Sequence, residues 1–171
     1  MITAEAVPTE RLILRPLRVE HAREMAGVLS DPELYAFIGG EPPSVQSLRS
    51  RYERWEAGSG DPAESWCNWV VESREENCLT GTVQATVTRE DDESLTAEIS
   101  WIVGTAWQGR GVATEAARAL VGWLRQRHVT RIVVHVHPRH GASAAVAAAA
   151  GFTPTDHWHD GEIRWRHTVR H

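Results

Sequence analysis

Trp107-Gln108-Gly109-Arg110-Gly111-Val112-Ala113-Thr114-Glu115-Ala116 is the stretch that decides the fold. It follows a strand-like run, Leu95 to Val103. It opens an amphipathic helix in which Val112, Ala116, Leu120 and Leu124 share one face, with Arg118 and Arg125 turned away. Two glycines in three residues let the backbone turn with its N–H groups converging. The helix N-terminus directly behind adds free N–H groups and the positive end of a dipole, which makes a cradle suited to a pyrophosphate.

Two phosphate motifs are tested and rejected. Gly104 to Gly111 has the glycine spacing of a P-loop. It carries Arg110 where the phosphate-binding Lys belongs and a glycine where the Mg²⁺-binding Ser or Thr belongs. A dinucleotide fingerprint requires a third small residue, and Gly109 and Gly111 are followed by Thr114.

Outward from this turn the chain reads as a mixture of strands and helices. Glu10 to Arg15 is a strand. Val19, Ala22, Ala26 and Leu29 mark one helical face, and Ser44 caps a helix that shows Val45, Leu48, Tyr52 and Trp55 on one side. Gly58 to Ser65 is a loop. Leu79, Gly81, Val83, Ala85 and Val87 alternate with threonines and Gln84, a half-exposed strand. The helix from Val112 joins strand 95–103 to strand 131–137 as a βαβ unit, which predicts a parallel pair. The alanine run at 144–150 is a short packed helix stopped by Gly151. Thr153 to Trp158 and Ile163 to Val169 form a closing antiparallel pair around Asp160-Gly161. The sum is a single α+β domain, residues 1–171, with a mostly antiparallel sheet.

Composition narrows the function classes. Hydrophobic content of 42% and charged content of 24% are those of a globular protein. No apolar run has the length of a membrane span and no signal peptide is evident, so no membrane partner and a cytoplasmic location are expected. A net charge of −5 disfavours nucleic acid and is compatible with a cationic amine. Cys67 and Cys78 fall too far apart along a hairpin to be bridged. His135, His137 and His140, with His157 and His159, give H-x-H spacings, but no cysteine or carboxylate completes a ligand set, and no metal is expected. Most of the eight tryptophans read as packing residues.

The motif Gln108-x-x-Gly111-x-Ala113 resembles the signature with which GNAT acetyltransferases bind acetyl-coenzyme A, and Ala113-Thr114-Glu115-Ala116 resembles the ribosomal-protein N-acetyltransferase-like branch. A second segment agrees. His137, Pro138, Ser143, Val146, Gly151 and Phe152 match the family's second turn and helix, while Arg139 and His140 replace its usual Asp-Asn. Glu10 to Leu17 is similar to the branch's first strand. The resemblance implies a GNAT fold, a mixed sheet whose central parallel strands splay apart, flanked by about four helices. It implies acetyl-CoA as cosubstrate and an amine acceptor, either a protein N-terminus or a small molecule, with a homodimer left open.

The resemblance also implies the site. Gln108, Gly109, Arg110, Gly111, Val112, Ala113 and Thr114 bind the cosubstrate's phosphates. A backbone N–H near Trp101, Ile102 or Val103, where the strand is expected to bulge, serves the oxyanion. Glu98 is the base candidate, because an ammonium acceptor must lose a proton before attacking the thioester. Many relatives carry a Tyr as thiolate proton donor, but the aligned position is Ala147. Ser143 is the expected substitute, and His140 is a further candidate contact to the cosubstrate. Direct transfer is favoured, since no positioned nucleophilic cysteine stands out. A non-catalytic acyl-CoA-binding or sensor domain is the alternative.

Overall fold

The computed structural model describes residues 2–168. Its frame is one sheet of eight strands: β1 (Val7–Pro8), β2 (Leu12–Pro16), β3 (Glu64–Ser73), β4 (Cys78–Arg89), β5 (Leu95–Val103), β6 (Val129–Val136), β7 (Phe152–His159) and β8 (Glu162–His167). Their spatial order is β1-β2-β3-β4-β5-β6-β8-β7. Every pairing is antiparallel except β5 with β6. The parallel pair is where the βαβ reading placed it. Its crossover is α3 (Val112–Gln126), and α1 (Ala22–Val28), α2 (Val45–Ala57) and α4 (Gly141–Ala149) complete the helices.

Two apolar clusters cover the two faces of the sheet. On one side α3 buries Val112, Ala116, Leu120 and Leu124, the face its periodicity marked, together with Ala117, Val121 and Trp123. They pack on Leu12, Leu14, Trp69, Val71, Val83, Ala85, Ile99, Ile132 and Val134. On the other side α1 and α2 bring Met25, Leu29, Leu48 and Tyr52 against Leu17, Val70 and Leu79. Alternation along β3 sends Trp69 and Val71 to one cluster and Val70 between them to the other. Each fully buried leucine contributes roughly 1.5–3 kcal/mol relative to an exposed one.

Local signals account for the element ends. Ser44 Oγ accepts from the Ser47 N–H at 3.0 Å and starts α2. Asp160 and Gly161 both take left-handed backbone between paired His159 and Glu162, so the closing hairpin turns on two residues of the Asp-Gly type.

Several expectations are modified. The Val19 to Leu29 helix begins as a 3-10 turn, Val19–His21, before α1 takes over. The strand expected over 131–137 runs Val129–Val136, which leaves His137 in the following turn. The loop expected to end at Ser65 ends sooner, because β3 starts at Glu64. Strand β8 wedges between β6 and β7, so the closing pair extends the sheet through its second strand. Val169 lies outside the described residues. Cys67 faces Ala85 and Cys78 faces Ser73 across the β3–β4 hairpin, and both thiols are free. Among the described residues, no helix is long and apolar enough to cross a membrane.

Candidate active site

The splay of β5 from β6 creates the site. The two strands pair from Leu95↔Val129 to Ile99↔Val134, and then the pairing stops. Strand β5 keeps its other neighbour, β4, through to Gly81↔Val103. Strand β6 pairs with β8 through Val136↔Ile163. The β6-facing edge of Ser100 to Val103 is therefore released from the ladder. Its backbone groups still require partners, and a ligand lying between the strands would supply them. The bulge expected at Trp101 to Val103 does not occur. Strand β5 runs one-to-one with β4 there, and divergence from β6 is what frees the edge.

A cleft of about 920 Å³ opens at this split. Glu98, Trp101, Ile102 and Val103 line it from β5. Gln108, Gly109, Gly111, Val112, Ala113 and Thr114 line it from the turn and first turn of α3, and His140 and Ser143 line it from the start of α4. The structure thus gathers all but one of the expected site residues around one cavity. The exception is Arg110. Its guanidinium turns out to Glu76, with Nη1 2.5 Å from Oε1, and its carbonyl accepts from Arg11 Nη1 at 3.0 Å.

The turn itself has the geometry of an anion cradle. Gly109 and Gly111 sit at φ +76 and +80, a backbone region that side chains disfavour. Gly111 is the N-cap of α3 and no side chain caps the helix, so its first N–H groups are unspent. Gln108 does not reach the cavity as a lone donor. Its Nε2 donates to the Val103 carbonyl at 3.0 Å and ties the turn to the end of β5. Glu115 would weaken an anion site if it faced the cradle. Instead it accepts from Thr9 Oγ1 at 2.5 Å and from Arg11 N and Nε at 2.9 and 2.7 Å. Burial pushes the Glu115 carboxyl up, these donors pull it down, and the net result is a carboxyl below its ordinary value. Arg11 is thereby held beside Gly111, where a Cβ would lie 3.1 Å from its Nη2.

Glu98 is half exposed at the split, and its Oε1 lies 2.8 Å from His135 Nδ1. The pairing with solvent or arginine that a strand carboxylate often shows is replaced by a histidine from β6. On α4 the cleft-lining residues are Gly141, Ala142, Ser143, Ala145, Val146 and Ala149, and Ser143 carries their single polar side chain. Its Oγ lies 3.4 Å from His140 Nε2. Burial, and then the nearby His137, lower the His140 pKa, which keeps the ring neutral at neutral pH. Ala147 is fully buried in the core and lies outside the cleft lining. Both cysteines lie away from the cleft, and burial pushes the Cys67 thiol up to about 11.

Sequence reasoning missed three contributors. His135 was read only for metal spacing. Arg11 was read only as part of a strand-like segment, although its contact to Glu115 spans 104 residues of sequence. Phe37, in the connection between α1 and α2, stacks on the His140 ring at 4.7 Å and closes one wall of the cleft. Among the described residues no group of three His, Cys, Asp or Glu side chains is arranged to hold a metal.

Comparison with known proteins gives the family and bears out the fold. The family model for the acetyltransferase (GNAT) domain matches residues 11–153, and the chain belongs to that family. RimL, the ribosomal L7/L12 alpha-N-protein acetyltransferase in complex with coenzyme A, matches with a TM-score of 0.76 at 16% identity, over 96% of this chain and 98% of its own. The ribosomal-protein-S5-alanine acetyltransferase from Vibrio fischeri matches with 0.74 at 19%, over 95% of each chain. AAC(6')-Ib, in complex with paromomycin and acetyl-CoA, matches with 0.75 at 19%, over 93% and 94%. No curated protein sequence matches.

Proposed function

We propose that this chain binds acetyl-CoA and transfers its acetyl group directly to a primary amine. The observation that carries the reading is a coincidence in space. The uncapped N-terminus of α3, with its two left-handed glycines, opens onto the same cleft as the edge of β5 released after Ile99. One end suits phosphates. The other supplies main-chain groups able to hold an extended amide-bearing arm and to orient a thioester carbonyl. Structures of similar fold hold coenzyme A or acetyl-CoA.

In this reading Gln108 to Thr114 hold the phosphates, with Arg11 as a nearby cation and Arg110 contributing only main chain. Released N–H groups of Ser100 to Val103 orient the carbonyl. Glu98 accepts the proton that the ammonium must lose, directly or through one water. Ser143 hydrogen-bonds the departing thiolate, with neutral His140 behind it. A cytoplasmic location belongs to the same proposal.

The acceptor is a protein N-terminus or a small-molecule amine. The fold alone does not choose, because an alpha-N-protein acetyltransferase of ribosomal L7/L12 and a protein in complex with paromomycin and acetyl-CoA share it. The absence of a tyrosine from the cleft face of α4 favours a second reading, an acyl-CoA-binding sensor without turnover. Calorimetry with acetyl-CoA and turnover on a panel (an Ala-initiated peptide, a polyamine and paromomycin) separate them. All 18 basic residues counted as Lys or Arg are arginine, so the chain offers no lysine ε-amine to capture label itself. Acetylation of a panel amine, lost most at low pH in Glu98→Gln with acetyl-CoA affinity retained, supports the enzyme. Tight acetyl-CoA binding without turnover on any amine supports the sensor.

A further inference from the structure

The side chain of His135 is 5% exposed, and both its nitrogens are engaged. Nε2 lies 3.1 Å from Arg164 Nε on β8, and Nδ1 lies 2.8 Å from Glu98 Oε1 on β5. A guanidinium has only donors. Arg164 therefore fixes Nε2 as the acceptor, and the ring proton must sit on Nδ1, aimed at Glu98. A second ring proton would point an N–H at an N–H. The arrangement selects one tautomer of the neutral ring.

We infer that His135 is a positioning residue for Glu98, with Arg164 holding its tautomer. This rests on the reading of Glu98 as the base. Glu98 Oε1 is occupied by the imidazole N–H, while Oε2 has no partner among the described residues and is the oxygen left to take a proton from the cleft. The location suits the task. Glu98 pairs in register with Val133, and His135 follows Val134, the last β6 residue paired to β5. The bond therefore spans the strands where they part and sets the carboxylate at the mouth of the split.

Every element packed around His135 brings charged or titratable groups. Glu98 comes from β5 and Arg164 from β8. From β7, His159 lies at 5.0 Å between ring centroids. His157 nearby is held below its ordinary value, by Arg164 first, then by burial, His135, His159 and Arg131. Among the described residues, the carboxylate hydrogen-bonded to the imidazole is that of Glu98.

Nitrogen-15 NMR of the free protein reads the tautomer without any acceptor. At pH 8 the expected spectrum shows the ring proton of His135 on Nδ1, the tautomer that Arg164 and Glu98 select. A ring protonated at Nε2 overturns the inference. With the fastest amine of the panel, His135→Ala should lower kcat roughly tenfold or more, part of the usual general-base contribution. KM for acetyl-CoA should be unchanged. His135→Asn places an amide N–H where Nδ1–H stood and should restore most of kcat. Equal loss in the Asn and Ala variants overturns the positioning role, and the Asn variant and the NMR decide the matter even if His135→Ala does not fold. If Glu98→Gln retains full activity while the NMR shows the expected tautomer, it is the base assignment that fails.

Discussion

Glu115→Gln tests whether the anion turn is braced from outside the cleft. The wild-type carboxylate receives three donors on two oxygens: the Thr9 hydroxyl, the Arg11 N–H and the Arg11 Nε–H. Glutamine keeps the shape, but its NH₂ sets a donor against a donor. Hydrogen bonds to a charged group contribute about 1.5–3 kcal/mol. The Glu115 side chain is 20% exposed, but the Arg11 side chain is 51% exposed, so its ionic share is screened and small. A loss of about 1–2 kcal/mol remains, and for a chain of this length the midpoint falls by roughly 2–8 °C. The pH dependence sharpens the test. Despite burial, the donors hold the folded carboxyl below its ordinary value of 4.5. Its stabilisation is therefore fully present above that ordinary value and is lost as the pH falls through the lower folded one. Urea unfolding at pH 7 should separate the two proteins, and the gap should close in stronger acid. Equal midpoints at pH 7, or a gap undiminished in acid, refute the brace.

Gly111→Val should weaken acetyl-CoA binding tenfold or more by calorimetry. It places a β-branched residue at φ +80, which costs about 1–2 kcal/mol, and drives Cβ against Arg11. Unchanged affinity would move the phosphate site elsewhere. Ser143→Ala should reduce the acetyl-transfer rate more than it reduces acetyl-CoA affinity, the pattern of an interaction made in the transition state. A folded variant with full rate would pass the role of thiolate donor to His140 or a water.

What the sequence revealed is what repeats along the chain or lies close within it. The face of α3, the alternation of β4 and the Asp160-Gly161 turn are local patterns, and each was legible from periodicity or turn chemistry. The cradle was legible for the same reason, because Gly109, Gly111 and the helix behind them are contiguous. His135 was not, because its meaning depends on Glu98, 37 residues earlier, and Arg164, 29 residues later. Arg11 and Phe37 failed similarly. Each acquires its contact only when the sheet closes, and neither carries a composition signal that separates it from an ordinary surface arginine or core phenylalanine.

The proposed oxyanion donors stand apart, because no side chain encodes them. A released strand edge follows from where pairing stops, and pairing is a property of three strands at once. One residue does leave a trace. Gly81 lies on β4 opposite Val103, and a Cβ there would collide with the Ile102 carbonyl and approach Val103 Cα to 2.9 Å. Strand β4 must therefore come unusually close to β5 at the segment proposed to orient the thioester. Glycine inside a strand weakens it, so a glycine there signals close backbone approach or a bulge. The alternation absorbed Gly81 as one more inward position, although it was the one inward position without a side chain to bury. Close support from β4 on one side and withdrawal of β6 on the other are what leave the Ser100 to Val103 edge both fixed and available. Side-chain motifs can locate such a candidate site, but the backbone proposed to perform its chemistry is set by packing on the neighbouring strand.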